Sequence, residues 1–495
     1  MIKRSAGILL SVSSLPSEYG IGCFDKSAYY FADWLKSAGQ SWWQILPLGP
    51  AGYGDSPYQS FSAFAGNPYF ISLDDLVEKG YISEKECKAT TKETCTVDYE
   101  QLYKTRYPLL KKAYINSKNS EKKEIEKFTA ENPWLDDYAL FMALKDKYKG
   151  KPFTSWEKKI RLRDEKELEI QRENLSFETG FYKFLQYHFF CQWRKLKKYA
   201  NSTGIGIIGD IPIYTAPDSA DVWAAPHLFQ LDENCVPVAV AGCPPDSFSG
   251  NGQLWGNPLY DWQKHKETGY SWWIERLKFC FEMYDAVRID HFRGFDEYYS
   301  IPYGSKDAKK GQWEKGPGAE LFAAVKNAIG KRDVIAEDLG FVTDSVKKLV
   351  KDCGFPNMKV LEFAFDSRDA SGRDHLPHNY SENSVAYTGT HDNQTLVSWL
   401  KTISDKERRE LREYICDPYT PDAELNKSLI SLIMMSKSQL CVIPMQDWLG
   451  LDDKSRMNTP STVGNNWKWR VKKSELTAKK AEEILKITQR YGRAD

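Results

Sequence analysis

Short apolar runs along this 495-residue chain repeatedly end in an acid: Asp210 in GIIGDIPIY, Asp290 in AVRIDHFRG, Glu337 or Asp338 in DVIAEDLG, and Asp392 in VAYTGTHDN. Carboxyl groups at strand ends can serve as nucleophiles or as general acids and bases. A single one has an ordinary explanation as a loop cap or an ion pair. Four in the same position, on a chain that is 14% aromatic, point instead to one shared site. Residues two apart on a strand share a face, so Arg288 stands beside Asp290, and a neighbouring guanidinium lowers a carboxyl's pKa and keeps it ionised. Glu337 and Asp338 are adjacent and cannot both turn to one face of a regular strand, and periodicity does not choose between them. Two carboxyls of unequal pKa at one mouth suggest glycoside chemistry, in which one protonates the departing oxygen and the other attacks the sugar.

Two aromatic segments supply what a sugar needs around such a pair. AGYGDSPYQSFSAFAGNP (Ala51 to Pro68) and AGCPPDSFSGNGQLWGNP (Ala241 to Pro258) mix Tyr, Phe and Trp with Gly, Asn, Gln and Asp. Flat rings cover the C–H faces of a sugar while short polar groups bond its hydroxyls. Tyr58 and Trp255 have a packing explanation as well, and their place in loops between strand and helix favours the binding one. The doublets Trp42/Trp43 and Trp272/Trp273 read as core. His391 reads equally as a buried, satisfied histidine. The Gly-rich second loop is suited to act as a lid.

The elements that must position these residues read as α/β. Runs apolar at nearly every residue, such as QILPLGP (Gln44 to Pro50) and the four above, suit strands buried on both faces of a parallel sheet covered by helices. Gly7 to Ser13 reads as a first strand. In an α/β barrel, chemistry sits at the C-terminal ends of the strands, where the four acids fall. The stretch from Pro50 to Gly206 is too long for one crossover and is charged and helix-favouring, which predicts a mostly helical insertion at about 78–200. A smaller helical block is expected at about 404–438, and an amphipathic helix over the tail, with Leu476, Ala481, Ile484, Leu485 and Ile487 on its apolar face. The whole of 1–495 is expected to be one catalytic barrel domain with these insertions.

Composition excludes other classes. With 68 basic and 68 acidic side chains the formal net charge is zero, which removes the electrostatic footprint of a nucleic-acid binder. No segment approaches the roughly 18 apolar residues of a membrane span. Ten cysteines without a C-x-x-C pair fit a reducing cytoplasm, and the start MIKRSAGILLSV lacks the cleavage signal of a secretory peptide. GIGIIGD (Gly204 to Asp210) matches a dinucleotide fingerprint, but a helical stretch precedes it and Pro212 and Pro217 oppose any helix after it. Gly204 therefore reads as a helix cap. His375 and His378 lack a third clustered ligand, so no metal is expected.

The ordered set SLPSEYGIG, QILPLGP, SPYQSFSAFAGNP, GDIPIY, PPDSFSGNGQLWGNP, RIDHFRG, IAEDLG and THDN resembles the amylomaltases, or 4-α-glucanotransferases, of the α-amylase clan over nearly the whole chain. The resemblance implies a (β/α)8 TIM barrel with helical insertions. It implies that Asp290 is the nucleophile, Glu337 the acid/base, and Asp392 the third acid, which orients the sugar. It further implies Ser56, Tyr58, Asp210, Gln253, Trp255, Arg288 and His391 as substrate contacts. The implied reaction is a retaining double displacement that moves α-1,4-glucan segments from a donor to glucose or a maltooligosaccharide acceptor, with no cofactor. A hydrolase on the same barrel and a non-catalytic glucan-binding protein are the alternatives.

Overall fold

Eight strands close into a parallel barrel: β1 (Ser5–Leu9), β2 (Trp42–Gln44), β3 (Gly206–Pro212), β6 (Ala286–Asp290), β9 (Val334–Ala336), β10 (Asn357–Val360), β11 (Ser384–Tyr387) and β12 (Leu440–Pro444). They follow one another around the barrel in chain order, with β12 pairing back onto β1. The molecule is a computed structural model that describes residues 3–89, 95–118, 120–245, 250–368, 370–422 and 424–494. The α/β barrel expected from the sequence is present, and buried Ile, Val, Leu and Ala line its strands as a two-sided burial requires.

Register decides what meets at the mouth. β3 and β6 pair with Asp210 opposite Arg288 and Pro212 opposite Asp290. On the other side of β6, Ile289 stands opposite Ala336, so the next residues, Asp290 and Glu337, leave adjacent strand ends at the same height.

Four additional strands form an antiparallel sheet in the order β5-β4-β7-β8, made of β4 (Ala239–Cys243), β5 (Gln253–Pro258), β7 (Glu297–Pro302) and β8 (Gln312–Lys315). This sheet interrupts the connections after β3 and β6. It corrects the reading of 241–258 as a loop: Gln253 and Trp255 sit two apart on β5 and share one of its faces. Asp246 to Ser249 of that segment lie outside the described residues.

Other boundaries moved for local reasons. The first strand ends at Leu9, not Ser13, because Val12–Ser14 turns into a 3-10 helix. QILPLGP lies past its strand and contributes only Gln44 to β2. Pro47 and Pro50 have no N–H to donate to a ladder.

Between β2 and β3 the chain runs through helices from Leu73–Glu78 to Ser176–Ser202. The last of these, 27 residues long, ends in a Schellman turn: Ile205 N–H donates to Ala200 O and Gly204 N–H to Asn201 O, at 2.9 and 3.0 Å, with Gly204 at φ +90°. The glycine of GIGIIGD thus stops a helix and starts β3, as its flanks indicate. Two glutamines tie this helix to the segment carrying Tyr58. Gln186 accepts from Gly66 N–H at 2.7 Å and donates to Gly66 O at 2.8 Å, and Gln192 accepts from Ser72 N–H at 2.7 Å.

Helices Asp405–Ile415 and Leu425–Met435 precede β12, and Ala478–Arg490 packs on Lys26–Ser37 near the chain start, where Gln40 donates to Thr488 Oγ1 at 3.0 Å. Among the described residues, no helix is long and apolar enough to cross a membrane.

Candidate active site

Asp290 closes β6 with its Oδ1 3.0 Å from Arg288 Nη1, the same-face pairing the i, i+2 spacing predicts. Arg288 Nη1 also reaches both oxygens of Asp210 at 2.7 Å. Asp210 and Arg288 are 0% and 3% exposed, so they lie under the mouth and not on its surface. Asp210 is taken up by Arg288 and by Tyr58, whose hydroxyl donates to Oδ2 at 2.9 Å. Together Asp210 and Arg288 form a charged floor that holds Asp290 and Tyr58. Replacing Tyr58 by Phe keeps the ring but removes that donor. The expected cost is about 1.5–3 kcal/mol of unfolding free energy, the worth of a buried hydrogen bond to a charge, measured by a urea melt.

Glu337 follows β9 directly. The N–H of His291, the residue after Asp290, donates to its Oε2 at 2.5 Å, and Leu339 N–H donates to its Oε1 at 3.2 Å. His291 has a left-handed backbone at φ +52°, an uncommon conformation outside glycine, and that bend aims its N–H at Glu337. Asp338 instead accepts from Met358 N–H on β10 at 3.0 Å. The two adjacent acids are thus divided, with Glu337 tied to the backbone beside Asp290 and Asp338 turned to a neighbouring strand.

The two mouth carboxyls sit in opposed fields. Burial, and next the charge of Asp290, push Glu337 up from 4.5 to about 8, so it holds a proton at neutral pH. Burial also raises Asp290 above the ordinary aspartate value, while the Arg288 guanidinium opposes that rise. The net direction differs from the lowering expected from Arg288 alone, because desolvation is the larger effect. Glu337 has no guanidinium at hydrogen-bond distance, so the proton shared by the pair rests on it and the negative charge on Asp290. Burial lowers His291 to about 3, so its ring is neutral.

Asp392 lies in the turn after β11. Its Oδ1 accepts from Asn458 Nδ2 at 2.7 Å and stands 3.4 Å from His391 Nε2, and its backbone oxygen accepts from Arg456 at 2.6 Å. Its side chain is 45% exposed, open to a ligand. The His391 ring stacks on Tyr58 with centroids 5.0 Å apart and planes 17° apart, and Trp467 packs against both, at 5.9 Å from His391 and 5.8 Å from Tyr58. Ser56, two residues before Tyr58, accepts the Tyr58 N–H at 3.3 Å. Trp255 meets His291 edge-on at 4.7 Å and donates from Nε1 to Gln253 Oε1 at 3.1 Å. All ten expected residues therefore belong to one connected neighbourhood: Asp210 and Arg288 below, the others around the mouth. His375 and His378 are turned to different partners, Val360 N–H and the Tyr414 hydroxyl.

His291, Asn458 and Trp467 belong to this neighbourhood and were not anticipated. Trp467 comes from the NNWKW stretch near the chain end, at φ +64°. Asn458 lies 66 positions from the acid it holds. Only the position of His291, directly after Asp290, carried a signal.

The model of a family described as 4-alpha-glucanotransferase matches residues 10–477. The chain is 46% identical to the 4-alpha-glucanotransferase of Clostridium butyricum, over 98% of this chain and 100% of that one. It is 45% identical to that of Thermus thermophilus, over 96% of each. Among solved structures it is similar to an amylomaltase from Streptococcus agalactiae in complex with acarbose, with a TM-score of 0.96, 40% identity and full coverage of both chains.

Proposed function

The chain belongs to the 4-alpha-glucanotransferase family, and on that premise we propose how its barrel mouth transfers a glucan segment. It is an enzyme of the amylomaltase type that moves α-1,4-glucan segments from one chain to another. Asp290 attacks the anomeric carbon of the donor while Glu337 gives its proton to the departing 4-oxygen, leaving a β-linked glucosyl ester on Asp290 and a carboxylate on Glu337. Glu337 then takes the proton from the 4-hydroxyl of an incoming sugar. That oxygen bonds to the anomeric carbon, the bond to Asp290 breaks, and two inversions leave the configuration unchanged.

Asp392 hydrogen-bonds the hydroxyls of the reacting sugar, with the stacked Tyr58 and His391 as its apolar support. Ser56, Gln253 and Trp255 contact the flanking glucose units. The observation that carries this assignment is the division between the two acids: Asp290 against Arg288, and Glu337 fixed by the His291 N–H and held protonated.

The same ester reacts with water or with a sugar, and acceptor binding with exclusion of water decides which. Purified protein given maltotriose alone is expected to produce glucose together with maltopentaose and longer chains, resolved by anion-exchange chromatography, with the number of reducing ends constant. A steady rise in reducing ends without longer products would overturn the transfer mechanism. The substrates are α-1,4-glucan donors and glucose or maltooligosaccharide acceptors. We assign the enzyme to a reducing cytoplasm, a reading supported by ten cysteines with no C-x-x-C pair among them, several of them buried.

A further inference from the structure

Three acids away from Asp290 and Glu337 tie down the segment that carries Asp392. Asp447 accepts from the Thr388 hydroxyl at 2.6 Å and from Leu396 N–H at 2.8 Å, gripping both ends of the segment. Asp453 accepts from Gln394 Nε2 at 2.8 Å and Thr395 N–H at 2.9 Å. Glu362, in the 3-10 turn after β10, takes the middle: its Oε2 accepts from Asn393 Nδ2 at 3.1 Å. That contact orients the Asn393 amide, whose Oδ1 accepts from both Thr390 N–H at 2.9 Å and Thr390 Oγ1 at 2.8 Å. The Thr390 hydroxyl oxygen in turn accepts the backbone N–H of Asp392 at 3.2 Å.

We propose that Glu362 is a positioning residue for transfer: its carboxyl orients Asn393, Asn393 shapes the Thr390–Asn393 turn, and that turn aims Asp392 at the sugar. The chain of bonds is continuous and passes through the side chains of Asn393 and Thr390. Glu362 is 4% exposed, and its other oxygen lies against the backbone of the same turn, where a Cβ on Gly389 would come within 2.9 Å of Oε1. A residue at 389 larger than glycine would displace the carboxyl. Burial, then the charge of Asp447, raise the Glu362 carboxyl well above its usual range. Among the described residues Oε1 has no hydrogen-bond partner, so an amide of the same shape in place of the acid breaks no bond there.

The inference rests on the assignment of Asp392 as the third acid, and the test separates the two. Maltotriose transfer is measured for Asp392→Asn, Glu362→Ala, Glu362→Gln, Asn393→Ala and the double variant Glu362→Ala/Asp392→Asn, each confirmed folded by circular dichroism. A misplaced catalytic group costs on the order of a hundredfold, so Glu362→Ala and Asn393→Ala are expected to lose about that in kcat with little change in KM. Glu362→Gln restores most of the loss. In the Asp392→Asn background, Glu362→Ala adds little, because the group it positions is already gone.

Wild-type turnover in Asp392→Asn would remove the premise. Loss in Asp392→Asn with wild-type turnover in Glu362→Ala or Asn393→Ala would sink the inference alone, as would full additivity in the double variant or failure of Gln to rescue. Should Glu362→Ala fail to fold, Asn393→Ala reads the same link with the acid left in place, and wild-type turnover there overturns the proposal.

Discussion

Asp290→Asn loses transfer by a factor on the order of 10⁴ or more, the scale seen when a nucleophile is removed, while the protein still folds and still binds maltooligosaccharides. Folding survives because Arg288 keeps Asp210 at 2.7 Å, so the buried guanidinium is not left alone, and an amide fills the volume of the acid. Binding survives because Tyr58, His391, Trp255 and Asp392 are untouched. A second signature follows from the electrostatics. The charge of Asp290 is the second cause, after burial, of the raised Glu337 carboxyl, so neutralising position 290 lowers the Glu337 titration point from about 8 toward the range set by burial alone. Calorimetry with maltotetraose reports binding, and infrared or NMR titration of the carboxyl reports the shift. Turnover equal to the parent protein would remove Asp290 from its role. An unmoved Glu337 titration would instead show that the two acids are not electrostatically joined.

What could be read from the sequence was whatever local pattern controls. Alternation placed Arg288 and Asp290 on one face, and the 3.0 Å contact follows from nothing more. Apolar runs marked β3, β6, β9 and β11 because two-sided burial leaves few polar positions. Two barrel strands were missed. NMKV at β10 carries Lys359 and is four residues long, and LCVIP at β12 is a five-residue run that closely follows the helical block expected at about 404–438. The β5-β4-β7-β8 sheet was invisible because its pairing joins segments across β6, and register between distant segments leaves no local mark.

The same reasoning sorts the site residues. Tyr58 and Trp255 were legible as aromatics in glycine-rich surroundings. Asp210 was legible as a strand-end acid, yet its burial under Arg288 and Tyr58 was not, since burial is a property of the closed barrel. The choice of Glu337 over Asp338 required knowing which of two neighbours meets the His291 N–H and which meets Met358. His291 itself depends on a positive φ that histidine's identity does not announce. The Glu362 clamp is invisible for the same reason: its partner Asn393 lies 31 positions away.

The pH dependence of transfer carries the second large effect. Glu337 must hold a proton to release the donor's leaving group, and burial with Asp290 holds that proton up to about pH 8. Turnover therefore falls on the alkaline side with a limb near 8. Glu337→Gln removes the proton donor and abolishes that limb, with a loss of about 10²–10⁴-fold on maltotriose. A glucosyl fluoride, whose leaving group needs no proton, should regain the first half-reaction in this variant. The ester on Asp290 then accumulates, because nothing deprotonates the acceptor, and intact-mass spectrometry detects it. The same raised carboxyl makes stability fall with rising pH, as activity does. Between about 4.5 and 8 the folded protein keeps a proton that the unfolded chain releases, so this group's contribution to stability is complete below 4.5 and is lost as pH rises toward 8. Glu337→Gln escapes that loss, so its melting temperature relative to the parent should rise from pH 5 to pH 8. A variant slower yet relatively more stable at high pH would show that the acid is held at a cost to the fold for the sake of the reaction. An unchanged alkaline limb in Glu337→Gln would assign the catalytic proton to another residue.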